Sequence, residues 1–202
     1  MQDPRSANTT ASLPRAFYER DTVRVAKELV GKILVRRLGR MLLEGIIVET
    51  EAYRGRDDEA SHAYRGPTRR NQVMFGEPGH AYVYFTYGMH YCLNVSTEPT
   101  GQPGAVLIRA AQPIKGMTEM MSRRGTRHVK DLANGPAKLT QAFAVTRALN
   151  GHDLTSGKKL YIAEPSHPEP CTIETGTRIG ITASAEKPWR FFVKGIPFVS
   201  KR

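Results

Sequence analysis

Two glutamates in one short apolar segment are the residues best placed to do chemistry. Glu49 and Glu51 belong to the segment Met41–Tyr53, whose period of two predicts a β-strand. Both carboxylates then lie on the strand face that carries Tyr53, roughly 7 Å apart at the backbone. Their mutual repulsion and partial burial would raise the pKa of one of them above about 4.3. Such a carboxylate is suited to act as a general base that activates water.

A simpler interpretation of the same segment stays open. At a solvated strand edge, the two carboxylates would pair with basic residues of the preceding segment, namely Arg36, Arg37 and Arg40. The position of the strand favours chemistry, because it runs directly into a loop that begins Arg54-Gly55. Residues 54–79 are rich in Gly, Pro, Asp and Arg, with little periodicity, which is typical of a long functional loop.

Residues 80–94 contain a tyrosine-rich pattern that predicts a β-hairpin with Tyr87 at its projecting tip. Ala81, Val83 and Phe85 would form the core face of its first strand. The opposite face is aromatic and hydrogen-bonding, and consists of His80, Tyr82, Tyr84 and Thr86. Such a surface can stack flat rings and insert a wedge into a duplex. An aromatic-rich hairpin packed in a core gives the same pattern, so both interpretations remain.

The elements that must position these residues are mostly strands. Asp21 can cap a short helix over 22–30, with Gly31 ending it, and Pro136 is placed to begin another helix that ends near Val145. A further helix is predicted over 114–124. The predicted strands are 32–38, Met41–Tyr53, the two strands of the hairpin, 105–111, 158–163, 178–182 and 190–194. Strands and helices do not alternate, so we expect a mixed α+β fold in a single domain over 15–202, mostly antiparallel, with peripheral helices.

The composition limits what the chain can bind and where it acts. Its 30 Lys and Arg against 19 Asp and Glu give a net charge of +11, which favours a polyanionic partner such as nucleic acid. No run is long enough for a membrane span, and residues 1–14 read as a polar, disordered leader without an export signal. Two cysteines without metal-ligand spacing indicate a reducing compartment.

The absence of other known motifs argues against several classes of enzyme. No pattern of a serine hydrolase, an NTPase or a dinucleotide-binding enzyme occurs. His62 is a single histidine with no second ligand at metal-binding spacing, so we expect neither a metal nor a cofactor. A metal-dependent nuclease using Glu49, Glu51 and Asp57 is kept as an alternative. A second alternative is a non-catalytic nucleic-acid-binding module, for which the acidic Glu51 would be out of place.

Taken in order, the motifs resemble the alkyladenine (3-methyladenine) DNA glycosylase family, of the mammalian type that also occurs in many bacteria. The resemblance covers residues 21–201, nearly the whole chain after the leader. The matching motifs are VETEAY (48–53), SH (61–62), RN (70–71), MF (74–75), YVY (82–84), YGM (87–89), LN (93–94), VLIRA (106–110), NGPAKL (134–139) and RFFVKG (190–195).

The resemblance implies a role for each matched position. Glu51 corresponds to the general base, and Arg109 to a residue that holds the water and the carboxylate. Tyr87 corresponds to the wedge that enters the duplex. The pocket for the flipped base corresponds to Tyr53, His62, Tyr84 and Asn94, and contacts with the DNA backbone to Arg70, Lys138 and Lys194.

The family implies an enzyme of base excision repair that acts as a monomer on double-stranded DNA containing damaged purines. It would flip out an alkylated or deaminated purine and hydrolyse the N-glycosidic bond without a lyase step, because the pocket motifs contain no lysine. The substrate class includes 3-methyladenine, 7-methylguanine, hypoxanthine and ethenoadenine. We expect no membrane association, and a cytoplasmic location in a bacterium or a nuclear one in a eukaryote.

Overall fold

The computed structural model describes residues 11–86 and 88–200, which form a single α+β domain, as predicted. Its strands are β1 (Ile33–Leu38), β2 (Met41–Tyr53), β3 (Ala81–Thr86), β4 (His90–Thr97), β5 (Gly104–Lys115), β6 (Leu160–Ala163), β7 (Ile173–Gly176) and β8 (Arg190–Val193). Its α-helices are α1 (Arg15–Tyr18), α2 (Thr22–Leu29), α3 (Met117–Arg124) and α4 (Pro136–Ala142). Short 3-10 turns occur at Gln72–Phe75, Val129–Asp131, Arg147–Leu149 and Leu154–Ser156.

The strands of these described ranges form one sheet in which every pair is antiparallel. Its order is β3-β4-β5-β2-β1-β6, and β8 adds to β2 and carries β7. β2 is long enough to change partners along its length: it pairs with β1 as far as Ile46 and with β8 from Glu49 to Glu51. Bulges between Ile47 and Thr50 accommodate this change. The predicted general base therefore lies where β5 and β8 flank the same strand.

Helix α2 covers the sheet behind this point. The Asp21 side chain accepts a hydrogen bond from the Arg24 amide at 2.9 Å, and Gly31 follows the helix with a φ of +90°, as the sequence predicts. On the inner side of the helix, the Thr50 hydroxyl donates to the Ala26 carbonyl oxygen at 2.7 Å. Buried aliphatic residues of α2 and β2 lie in the main core, which fixes the backbone around the two glutamates.

Three predictions about local structure are wrong. Residues 178–182 do not form a strand, and the strand of this region is β7, just before them. Phe85 is exposed, because the core ends at Val83 on that face of β3. Ser12 pairs with Ala163 and Leu13 is buried, so residues 12–14, which the prediction assigned to the leader, belong to the fold. Residues 1–10 lie outside the described chain.

Of the helices in the described ranges, none is both long and apolar enough to span a membrane.

Candidate active site

Glu51 is fully buried and makes contacts from three directions. Its Oε2 accepts hydrogen bonds from the Tyr53 hydroxyl at 2.8 Å and from Nη1 of Arg109 at 3.1 Å. Its Oε1 accepts one from the backbone amide of Ile179 at 2.7 Å. Among the described residues, no second donor reaches Oε1, so this oxygen keeps an unused lone pair.

Arg109 of β5 bridges the two glutamates of β2. Its Nε donates to Oε1 of Glu49 at 3.1 Å, while its Nη1 binds Glu51, so both carboxylates lie on one side of the strand, as its period predicts. Burial lowers the pKa of Arg109, but the carboxylates of Glu51 and Glu49 outweigh this effect and raise it above its ordinary value. Arg109 therefore carries a permanent positive charge at the edge of the site.

Glu49 is held by donors that come from the far end of the chain. Arg190 of β8 donates from Nε to Oε1 at 2.7 Å, and the Ser200 hydroxyl donates to the same oxygen at 2.8 Å. The Ser200 amide donates to Oε2 at 2.7 Å. Two buried guanidinium groups thus balance two buried carboxylates. The alternative in which Arg36, Arg37 or Arg40 pairs with these glutamates is wrong.

A cavity of about 380 Å³ opens beside Arg109. Its size lies within the range of pockets that hold small ligands. Glu51 is not among the residues that line the cavity, but its carboxylate is hydrogen-bonded to three that are, namely Tyr53, Arg109 and Ile179. Of the predicted pocket residues, the cavity brings together Tyr53, His62, Tyr84 and Asn94.

Aromatic rings form one side of the cavity. The ring centroids of His62 and Tyr84 are 4.6 Å apart, with 73° between the planes, and Tyr82 lies 5.3 Å from Tyr84. Burial, and then the Glu51 charge, raises the pKa of Tyr53, and burial likewise raises that of Tyr84. Both phenols therefore keep their protons, and the Tyr53 hydroxyl remains a donor to Glu51.

Asn94 of β4 is buried and fixed beside these rings. Its Nδ2 donates to the carbonyl oxygen of Tyr82, its register partner on β3, at 3.1 Å. This bond is within the sheet, so the amide cannot rotate freely. Asn94 therefore presents a rigid polar side chain to anything that enters the cavity.

His62 is a neutral member of this wall. Although the residue as a whole is exposed, its Nδ1 lies 2.9 Å from the Tyr82 hydroxyl. Loss of hydration against the tyrosines, and then the charge of Arg70, lowers the pKa of His62 to about 4. The imidazole is therefore uncharged over the physiological range and can stack against a flat ring.

We expect NMR titration of the His62 imidazole to show a midpoint near 4 rather than near the unfolded value of about 6.5. The unfolded chain then binds this proton first. His62 therefore makes the fold less stable as the pH falls from about 6.5 to about 4, and has no effect above that window. The substitution Arg70→Gln should raise the midpoint, because it removes a neighbouring positive charge. A midpoint near 6.5 in the unmodified protein would contradict this assignment.

Comparison with known proteins gives the family to which this chain belongs. The model of the methylpurine-DNA glycosylase family matches residues 16–197. A protein of Carboxydothermus hydrogenoformans is 54% identical over 190 residues, which cover 94% of this chain and 99% of that protein. Relatives from Methanoculleus marisnigri (51%; 95% and 100% covered) and Koribacter versatilis (50%; 98% and 97%) are similar over their full length. All three are named "Putative 3-methyladenine DNA glycosylase".

The chain belongs to the methylpurine-DNA glycosylase family. It is accordingly a DNA glycosylase, a hydrolase of DNA base excision repair. The resemblance drawn from the sequence motifs is confirmed.

The residues predicted to contact DNA occupy different surroundings in this methylpurine-DNA glycosylase. Arg70 lines the cavity and lies over the Tyr84 ring, 5.0 Å from its centroid. Lys138 of α4 donates to Oδ1 of Asn134 at 2.8 Å, outside the cavity. Lys194 is exposed and its Nζ lies 3.0 Å from a carboxylate oxygen of Glu174. Tyr87 lies outside the described residues.

The acidic residues considered for a metal-dependent nuclease are not grouped. The carboxylates of Glu49 and Glu51 are bound to arginines in the interior, whereas Asp57 pairs with Arg54 at 3.6 Å on the surface. Within the described ranges, no group of three His, Cys, Asp or Glu residues is arranged to hold a metal ion.

Several residues of the candidate site escaped the sequence analysis. Arg190, Ser200 and the Ile179 amide bind the two glutamates, and Arg178 pairs with Asp58 nearby. One signal was available: carboxylates in an apolar strand need cationic partners when buried. Two buried carboxylates indicate that cationic partners are required, but they do not show where in the sequence those partners lie.

Proposed function

We propose that this methylpurine-DNA glycosylase excises alkylated or deaminated purines from double-stranded DNA as a monofunctional enzyme. The substrate class is that of 3-methyladenine, 7-methylguanine, hypoxanthine and ethenoadenine. The observation that carries the proposal is the buried Glu51 carboxylate, which keeps one acceptor position unused and is hydrogen-bonded to Tyr53, Arg109 and Ile179 of an aromatic cavity of about 380 Å³. A binding module would have no use for a carboxylate held ready in this way.

Entry of the base requires that the nucleotide leave the duplex, which costs a few kcal/mol. Stacking on Tyr53, His62 and Tyr84 offsets this cost by about 1–3 kcal/mol per aromatic contact. A cationic lesion such as 3-methyladenine gains about 0.5–2 kcal/mol more from the electron-rich tyrosine rings. Asn94 discriminates between bases, because its fixed amide contacts the edge of each base that enters the cavity.

In the chemical step, the bond between C1′ of the sugar and the purine nitrogen breaks, and a bond forms from the water oxygen to C1′. Oε1 of Glu51 takes the proton that the water loses, and the purine leaves with the electron pair of the broken bond. The developing oxocarbenium ion is stabilised by the negative carboxylate. Arg109 and the Tyr53 hydroxyl hold the other carboxylate oxygen, which directs Oε1 towards the water.

The composition of the cavity supports hydrolysis without strand cleavage. A lyase step needs an amine that forms a Schiff base with C1′, and no lysine lines the described cavity. The product is therefore an intact strand with an abasic site. No cofactor takes part.

DNA binding in this proposal involves one aromatic residue and three basic residues. Tyr87 fills the space that the flipped nucleotide leaves, and Arg70, Lys138 and Lys194 contact phosphates. Arg70 is best supported, because it lines the cavity. The enzyme acts as a monomer on chromosomal DNA, in the cytoplasm of a bacterium or in the nucleus of a eukaryote.

The test is release of free base from a duplex that contains one hypoxanthine and, separately, from methylated DNA, both in EDTA. We expect release from at least one substrate, with strand breaks appearing only after alkali. Breaks before alkali would contradict the absence of a lyase step. Tight binding without release from either substrate would favour the non-catalytic binding module.

A further inference from the structure

A second ion pair is buried next to the proposed catalytic carboxylate. Nη1 and Nη2 of Arg178 donate to the two carboxylate oxygens of Asp58 at 2.6 and 2.7 Å, and both side chains are fully buried. Neither residue has a role in the reaction described above. A buried, two-pronged pair of this kind is costly to desolvate, so its place beside the cavity calls for an explanation.

Arg178 joins three segments of the chain that meet at the cavity. Besides Asp58, its guanidinium donates to the carbonyl oxygens of Ala52 in β2 (2.9 Å) and Ser184 (3.1 Å). Its charge lies between two rings, 4.7 Å from the Tyr53 centroid and 5.2 Å from that of Trp189. The Arg178 side chain thus holds together the end of β2, the loop that follows it, and residues 178–184.

Each of these segments supplies part of the site. The residue after Arg178 is Ile179, whose amide donates to Oε1 of Glu51, the oxygen with an unused lone pair. On the other segment, Asp58 accepts hydrogen bonds from the amides of Arg54 and Ala60, which shapes the loop leading to His62. The Arg178–Asp58 pair therefore connects the Ile179 amide, which donates to the Glu51 carboxylate, with the loop that leads to His62.

We propose that the Arg178–Asp58 pair is a positioning device of the glycosylase site, which holds the Ile179 amide on the Glu51 carboxylate and the His62 loop across from it. This inference rests on the proposed function. It adds two positioning residues that touch neither base nor water and act through Ile179 and His62.

The hydrogen bond from Ile179 gives the proposal a specific signature. An amide donor stabilises the charged form of a carboxylate, so its displacement makes the proposed base easier to protonate. Other titratable or charged groups around Glu51 are Tyr53 and Glu49 on β2, Arg109 on β5, Cys92 on β4 and Arg190, its register partner on β8. Arg178→Lys and Ile179→Pro change none of them. A purely structural loss would lower the rate equally at every pH.

The experiment is the pH dependence of single-turnover hypoxanthine release for three variants beside the wild type. Arg178→Lys keeps the positive charge but loses the two-pronged hydrogen bonding to Asp58. Ile179→Pro removes the amide donor, and it also changes a side chain that lines the cavity and restricts the backbone of Arg178. We expect both to lower the rate about 10- to 100-fold and to move the acid limb of the profile up by about one pH unit. Affinity for lesion-free duplex should stay unchanged.

Asp153→Asn is the matched control. Asp153 also binds an arginine through its carboxylate, Arg15 at 3.2 Å, but it lies outside the residues that line the cavity. It should lose stability without moving the acid limb. If Arg178→Lys does not fold, the isosteric Asp58→Asn replaces it. Here we expect only the lower rate, by about 10- to 100-fold, because loss of a buried negative charge favours the ionised Glu51 and opposes the shift of the acid limb.

An acid limb that stays in place in a folded Arg178→Lys variant, or a wild-type rate in Asp58→Asn, would overturn the positioning role. This result is distinct from failure of the proposed function, in which the wild type itself releases no base.

Discussion

Glu51→Gln should lower the single-turnover rate of base release by about 10²- to 10⁴-fold, the largest catalytic effect we expect from one substitution. Glutamine keeps the size of the side chain and can still accept from the Ile179 amide, but it cannot take a proton from water. Its carbonyl also lacks the negative charge that stabilises the sugar cation. The measurement is free-base release from a hypoxanthine duplex under enzyme excess.

The same strand offers a control for this change. Glu44 is also a buried glutamate of β2, and it pairs with Lys115 at 3.7 Å, far along the strand from the cavity. Glu44→Gln should release base at the wild-type rate, and both variants should bind duplex DNA as tightly as the wild type. Full activity in Glu51→Gln would mean that another group activates the water.

Glu49→Gln should have the largest effect on stability, a loss of about 3–5 kcal/mol in the free energy of unfolding. The amide leaves Arg109 and Arg190 buried with a single carboxylate between them, and an uncompensated charge in the interior is expensive. Urea unfolding followed by fluorescence of Trp189, the single tryptophan of the chain, measures the change.

Glu28→Gln is the comparison for this variant. Glu28 also binds two arginines, Arg20 at 2.8 Å and Arg24 at 2.9 Å, but these pairs lie on the surface of α2. Because solvent screens them, we expect a loss of less than about 1 kcal/mol. Equal losses of unfolding free energy in the two variants would show that burial of the Glu49 network contributes little to stability.

The elements around the carboxylates could be predicted from local sequence because their signals are local. The alternation through β2 gives its bounds as Met41–Tyr53, and Asp21 and Gly31 delimit α2. The same logic fails at 178–182, where the residues alternate as in a strand. There the Arg178 side chain is held by Asp58, and the Ile179 amide is bound by a carboxylate rather than by a neighbouring strand.

The site itself could be predicted only in part. The strand period correctly predicts that Glu49 and Glu51 share one face. The expected repulsion between their carboxylates is not the dominant interaction, because Arg109 binds both of them. Arg190 and Ser200 are distant in sequence, and no local pattern distinguishes them from the many basic and polar residues of this chain. The positions of such long-range partners come from the tertiary fold.

The separation between Glu49 and its partners also sets the order in which the enzyme can mature during synthesis. Glu49 is translated 141 residues before Arg190 and 151 residues before Ser200. At about 5–20 residues per second, the carboxylate waits roughly 7–30 s on the ribosome for its last donor. A nascent chain can hold β1, β2 and β5 together in this interval, yet its two glutamates share only Arg109. We therefore expect a nascent chain that ends before Arg190 to lack these donors to Glu49, so the Glu49 network is completed only late in translation.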